Sequence, residues 1–323
     1  MKKIAVLTSG GDAPGMNAAV RAVTRGALAK GWDVFGVRNG YAGLLADTLQ
    51  PLQARDVGGI VQSGGTVLGS ARCPEFARPE GRAKALRNLA ARGVDALVVI
   101  GGNGSQTGSA SLAKEGFAVV GVPSTIDNDL HGNDVSIGAD TATNITLEAI
   151  DRLRTTASSH QRAFAVETMG RDCGYIAIMA GIAGGAEVIA IPEHELKPSD
   201  VAERLRAAYR RGKTHALVVI AEGAKCGVME LMQHYDANKE SIGFDLRVTR
   251  LGHVVRGGAP TAADRVLATR LGAHAIECLA RGEHGVLAGI VKNAQITTPL
   301  KQVGGRMRPA DAELLELARV MAI

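Results

Sequence analysis

Aromatic residues make up 3% of the 323-residue chain, with one tryptophan. So few rings leave little surface for stacking on bases, and nucleic acid is not an expected partner. Cysteine is scarce as well. Cys73, Cys173, Cys226 and Cys278 stand far apart with no CxxC pair, which points to reduced thiols and away from a zinc site. Long apolar runs are missing. None approaches the ~20 residues that cross a bilayer, and the run after Lys2 and Lys3 is too short for a signal-peptide core. A cytoplasmic protein without a membrane partner is the expectation. Blocks of like charge are absent too: the formal net charge is only +5 and the arginines are dispersed. That balance favours small anionic ligands.

What the chain has in plenty is glycine, 41 residues, most of them closing short apolar runs. Apolar runs bounded by breakers read as buried strands. They occur at residues 4–8, 34–37, 96–100, 117–122, 163–167, 188–191, 216–221 and 286–291, and residues 247–251 lead into Gly252 as a further strand-length stretch. Helix-length patterns lie between many of them, at 17–30 (with Asn17 as a plausible cap), 79–92, 105–114 and 138–154, and a last one at 310–320. The alternation predicts an α/β protein with mainly parallel sheets covered on both faces. Its length predicts two such sheets, with the seam after Asp127.

The polar residues gather where those strands end. After residues 117–122 come Pro123, Ser124, Thr125, Ile126, Asp127, Asn128 and Asp129. Two carboxylates so close to a core need a proton, a cation or a substrate hydroxyl to offset repulsion and desolvation. The plainer alternative is an acidic turn capping the next helix. Residues 9–15 (SGGDAPG) and 101–105 (GGNGS) both link a strand to a helix, the arrangement that aims backbone N–H groups at a phosphate. Tight turns alone would also explain them. Residues 58–72 are too rich in glycine for a helix and end in Arg72, which suits either a phosphoryl oxygen or solvent. A dinucleotide site is a poor fit, because neither loop spells GxGxxG.

Taken together, TSGGDAPGMNAAVRA, GGTVLGSARCPEF, VVIGGNGS, STIDNDLHGND, AIDRLRTTASSHQR, ETMGRDCG, AGGAEVIAIPE and RLGHVVRGGAPTAADR resemble the bacterial ATP-dependent 6-phosphofructokinase family, from Lys3 to about Gly289. The resemblance implies two Rossmann-like three-layer αβα domains with the active site in the cleft between them. Residues 1–138, with about 252–323, would form a larger nucleotide-binding domain, and 139–251 a smaller sugar-phosphate domain. It also implies phosphoryl transfer from MgATP to the 1-hydroxyl of fructose 6-phosphate. Asp127 matches the base, with Thr125 beside it. Arg72 reaches the transferring group and Arg171 stabilises its developing charge. Gly11, Tyr41, Arg72, Cys73, Gly102, Asn103, Gly104 and Ser105 line the ATP site. Thr125, Ile126, Asp127, Met169, Gly170, Arg171, Glu222, His253 and Arg256 line the sugar site, with Arg162 and Arg247 arriving from a neighbouring subunit. The family is a homotetramer with an ADP or phosphoenolpyruvate site between subunits. Its lining matches Arg21, Arg25, Arg154, Gly185, Glu187, Arg211, Lys213 and His215, with Arg55 in an adjoining loop. A solvated basic face is the bland alternative for that set.

One position departs from the family. Where GGDGS supplies an aspartate to Mg²⁺, this chain has Asn103, leaving Asp129 and a weakened ligand. Losing such a preorganised charge commonly costs ~10²–10³ in turnover. A low-activity or non-catalytic paralogue that binds nucleotide and sugar phosphate as a regulatory subunit is therefore the alternative to an allosteric kinase. Pyrophosphate-using relatives usually carry aspartate at the place of Gly104 and lysine at that of Ser124. The small residues here favour ATP.

Overall fold

The computed structural model describes residues 2–160, 162–242 and 244–322. Gln161, inside the AIDRLRTTASSHQR stretch, lies outside them. In chain order the elements are β1 (Lys3–Ser9), α1 (Met16–Ala29), β2 (Asp33–Val37), α2 (Gly40–Leu45), β3 (Leu49–Pro51), α3 (Pro79–Ala91), β4 (Ala96–Gly101), α4 (Asn103–Lys114) and β5 (Ala118–Pro123). Then come α5 (Ala139–His160), β6 (Ala163–Thr168), α6 (Tyr175–Ala183), β7 (Val188–Ala190), α7 (Pro198–Arg210), β8 (Ala216–Ala221), α8 (Val228–Ala237), α9 (Lys239–Ile242) and β9 (Leu246–Arg250). The chain closes with α10 (Ala262–Ala280), β10 (Val286–Val291), β11 (Ala294–Pro299), α11 (Leu300–Val303) and α12 (Ala312–Met321). Contacts divide it into two units, residues 1–140 with 256–308, and residues 141–255 with 309–323.

The first unit holds a seven-stranded sheet in the order β11-β10-β5-β4-β1-β2-β3. Its inner strands run parallel, and the two outermost strands, β3 and β11, pair antiparallel with their neighbours. Every residue of β4 is buried, as a strand covered on both faces requires. The Gln106 side chain staples β4 to β5, its Nε2 donating to Val99 O, Gly101 O and Val122 O at 3.0–3.3 Å. A methyl group at position 121 would run into that amide, so Gly121 is what lets α4 lie so close to β5.

The second unit holds a four-stranded parallel sheet, β7-β8-β6-β9. Side chains alternate across a strand, and β8 uses both faces. Ala216, Val218 and Ile220 pack with Leu205, Leu231 and Tyr235, whereas Leu217, Val219 and Ala221 pack with Ile150, Ile178 and Ala318. Two apolar layers around one sheet make three layers.

Two expectations need correcting. Asn17 is not a cap. It sits buried inside α1, its Nδ2 donating to Ser63 O and Gly64 O and its Oδ1 accepting from Val67 N at 2.7 Å. It ties the glycine-rich 58–72 loop to the helix. Residues 309–323 belong to the second unit rather than the first, because α12 presents Leu314, Leu315 and Ala318 to that unit's core.

The docking of α12 is testable. Ala318 is 8% exposed, so Ala318→Asp would bury a carboxyl among apolar groups and lower the thermal midpoint by roughly 5–10 °C. A midpoint within about a degree of the parent in a thermal melt would put α12 off that surface.

Candidate active site

In the first unit the register aligns Ser9 with Gly101 and Gly101 with Pro123, so three loops leave the sheet at one level. β1 has β2 on one side and β4 on the other, which makes their carboxyl ends a topological switch point, the usual ligand crevice of open α/β sheets. α1 and α4 start there behind Gly15 and Gly102, and no side chain among the described residues caps either helix. Apart from Met16, whose N–H donates to Ala13 O at 3.2 Å, their first-turn N–H groups have no backbone partner among the described residues, and the helix dipoles lie behind them.

The first loop is shaped around an arginine. A methyl group at Gly11 would come within 2.5 Å of Arg256 Nη1, which donates to Asp12 O at 3.0 Å. Arg256, expected on the sugar side, thus packs against the Gly11 loop of the first unit, because its segment returns to that unit. Arg72 is exposed and carries no hydrogen bond or ion pair among the described residues. Cys73 is half-buried against the apolar core.

Around the second loop, an added Cβ at Gly104 would meet nothing within 4 Å, whereas Ser105 is buried beside Gly10. Tyr41 is matched to the adenosine side of the ATP site. It is a core residue stacked on Phe76 at 3.9 Å, and its hydroxyl donates to Ser105 O at 2.7 Å. Burial holds that phenol well above its ordinary range. Tyr41 fixes Ser105 from behind.

The third loop carries the acids. Asp127 is 7% and Asp129 9% exposed, and Asp127 N donates to Thr125 Oγ1 at 3.2 Å. Between the acids, Asn128 takes the left-handed conformation (φ 51°). Its Nδ2 donates to Asp134 O and its Oδ1 accepts from Ser136 N, at 3.0 and 2.8 Å. Strained backbone of this kind persists only where the surroundings hold it. Ile126 is fully buried, so its side chain belongs to the core. Ser124 is buried as well, its N–H bonded to Gly101 O, which leaves no room for a long cation.

Asn103 has its Nδ2 on Arg306 O at 3.1 Å, which fixes the orientation of the amide. Its Oδ1 is buried and has no hydrogen-bond partner among the described residues. A buried carbonyl oxygen left in that state costs about 1–3 kcal/mol, and a hard cation would satisfy it. No cluster of three His, Cys, Asp or Glu able to hold a metal occurs among the described residues. The donor set therefore fits Mg²⁺ carried in with phosphates, since that ion keeps few protein ligands.

In the second unit, the ends of β6, β8 and β9 are again level, through Thr168–Ala221 and Glu167–Arg250. Met169 is buried, and Gly170 and Arg171 follow at the loop. Arg171 is left-handed (φ 51°), with its N–H on Glu222 Oε1 at 3.1 Å. His253 is exposed rather than a core histidine. Arg162 and Arg247 converge on one carboxylate, Asp245, at 3.5 and 4.0 Å. Two guanidiniums sharing one acid keep capacity for a phosphate.

The residues matched to an effector site fall in both units. Arg21 and Arg25 lie on α1, and Arg55 is exposed in the first unit. In the second, Glu187 is half-buried, pairing with Lys213 at 2.9 Å and accepting from Leu217 N. A methyl group at Gly185 would touch Arg154 at 3.2 Å, and His215 bonds Ser158. Arg211 turns instead to Ala322 O at 3.1 Å.

Sequence reasoning missed Asp264, fully buried with Oδ1 accepting from Gly138 N, and the 304–308 segment. Only the arginines of the latter, in a stretch poor in other signals, could have drawn attention.

A family model described as Phosphofructokinase matches residues 3–279. A protein of Thermus thermophilus named ATP-dependent 6-phosphofructokinase 1 is 53% identical over 325 residues, covering 100% of both chains. One from Streptococcus suis, named ATP-dependent 6-phosphofructokinase, is 47% identical over 100% of both. Among solved structures, the phosphofructokinase of Pichia pastoris in the T-state aligns with a TM-score of 0.89 at 41% identity. That alignment spans 94% of this chain and 35% of the other. Full-length identity at this level, with the matching loops at the strand ends, has one reading: this chain belongs to the phosphofructokinase family.

Proposed function

We propose that the chain is an ATP-dependent 6-phosphofructokinase, moving the terminal phosphoryl of ATP to the 1-hydroxyl of fructose 6-phosphate to give fructose 1,6-bisphosphate and ADP. The observation that carries this is the pair of acids at 7% and 9% exposure, held beside two uncapped helix N-termini at one switch point. Phosphoryl transfer asks a protein to position two oxygens in line, neutralise charge and accept one proton.

Asp127 accepts the proton of the sugar hydroxyl, held by its N–H on Thr125. The N–H groups at Gly11 and at the start of α4 take the nucleotide phosphates, and open space at Gly104 admits the rest of ATP. Arg72 and Arg171 balance the charge that develops on the transferring group. Glu222, Met169, Gly170 and His253 orient the sugar, and Arg162 and Arg247, given by a neighbouring subunit of a homotetramer, take its phosphate. Asn103 Oδ1 and Asp129 would hold Mg²⁺, which neutralises phosphate charge when bound. ADP or phosphoenolpyruvate would act at the basic set around Arg154, Glu187 and Lys213. The protein would work in the cytoplasm, and no described helix is long and apolar enough to cross a membrane.

A coupled assay tests the reading: product forms from MgATP and fructose 6-phosphate, and none forms with pyrophosphate. Turnover with pyrophosphate alone would overturn the donor assignment. Asp127→Asn lowers kcat about 10²–10⁴-fold; parental turnover would remove Asp127 from the role of base. Asn103→Asp turns a full charge toward a dication, and this outweighs the donor lost to Arg306. The half-saturating Mg²⁺ concentration falls about tenfold. An unchanged Mg²⁺ dependence would place Asn103 away from the metal.

A further inference from the structure

The chain between α11 and α12 has no regular structure, yet it touches both loops on which the chemistry rests. Gly304 packs on α4, where an added Cβ would lie 3.3 Å from Thr107 Cα and 3.5 Å from Ala110 Cβ. Two residues on, Arg306 O accepts from Asn103 Nδ2 at 3.1 Å. Met307 then bridges Leu130 in a short antiparallel pairing. Arg308 finishes the run: its N–H donates to Asp129 O at 2.7 Å. Its Nη1 donates to Asn133 O at 3.0 Å and to Asp134 O at 2.8 Å, with the Asp134 carboxylate 3.7 Å away.

One residue thereby holds both ends of the 129–134 loop, through its main chain at one and its guanidinium at the other. The loop needs such a hold. Asn128 sits in left-handed backbone between the two acids, and its own side chain leans on Asp134 O, the carbonyl that Arg308 also grips. If Asp134 shifted, the shift would pass through Asn128 to Asp127 and Asp129.

We propose that residues 304–308 are a strap across the two catalytic loops, and that Arg308 is a positioning residue for phosphoryl transfer. It touches neither substrate. It acts by keeping Asp127 in line with the sugar hydroxyl and Asp129 near the metal, and so rests on the kinase reading above. A displacement of about 1 Å at a reacting group can cost about 10²-fold in rate.

The test compares the full-length parent with Arg308→Gln and Arg308→Lys. Initial rates, the Mg²⁺ dependence and thermal melts are measured for each. Gln shortens the reach and removes the charge, so kcat falls about 10–10²-fold. The half-saturating Mg²⁺ concentration rises at least about threefold, while KM for fructose 6-phosphate stays within about threefold. Lys keeps one charged donor for the two carbonyls and restores kcat to within about threefold of the parent. A Gln variant that melts like the parent, with kcat and Mg²⁺ dependence within about twofold, overturns the strap and leaves the kinase reading standing. So does a Lys variant that melts like the parent but is as slow as Gln. If Gln fails to fold, a folded Lys variant with unchanged Mg²⁺ dependence and rate supports the proposal, and a folded but slow one overturns it. A parent without turnover overturns the kinase reading and the strap with it.

Discussion

The arrangement depends first on the register of three parallel strands. With Ser9, Gly101 and Pro123 on one line, the loops after them have no choice but to leave side by side. Parallel pairing is affordable only with both faces covered, and the burial of all six residues of β4 meets that condition. Helices start at two of those strand ends without side-chain caps, so their amides and dipoles are directed at the same crevice. A phosphate site follows from the topology before any particular side chain is considered.

Around that frame, unfavourable local states mark the chemistry. Asn128 and Arg171 occupy left-handed backbone that residues with a Cβ rarely adopt. Each is held by hydrogen bonds, Asn128 through its side chain to Asp134 and Ser136, Arg171 through its N–H to Glu222. Asn103 Oδ1 is buried and unsatisfied among the described residues, although its amide nitrogen is well placed. Left-handed backbone also occurs at Asn39, Asp47, Lys292 and Asn293, so what sets these loops apart is that it falls next to buried acids and an unmet polar atom.

The strands and their loops were legible because most of the apolar runs end close to glycine or proline, and a period of strand and helix survives in the sequence. What was illegible depends on long-range contact. Asn17 reads as a cap from its neighbours, yet its partners are in the 63–67 loop. Tyr41 is matched to the ATP site by resemblance, and its stacking on Phe76 is a contact the local pattern does not show. Ile126 lies within a polar run, and only burial reveals that its side chain faces inward. The antiparallel edge β3 is short, and the direction of both β3 and β11 depends on pairing that no local pattern encodes. The tail carried no motif. Arg308 matters through three main-chain atoms, which any residue type could have supplied, and α12 chooses its surface through Leu314, Leu315 and Ala318.

Neither unit is a continuous stretch of chain, and this bears on how the protein is made. Val286 of β10 pairs with Val120 of β5, so on the ribosome β5 waits with a bare flank until every strand of the second sheet has been synthesised. Such a flank is open to mispairing with other chains, and larger proteins of this kind rely on assistance during biosynthesis. A nick between residues 255 and 256 would likewise divide both units, cutting β10 and β11 from the first sheet and α12 from the core of the second.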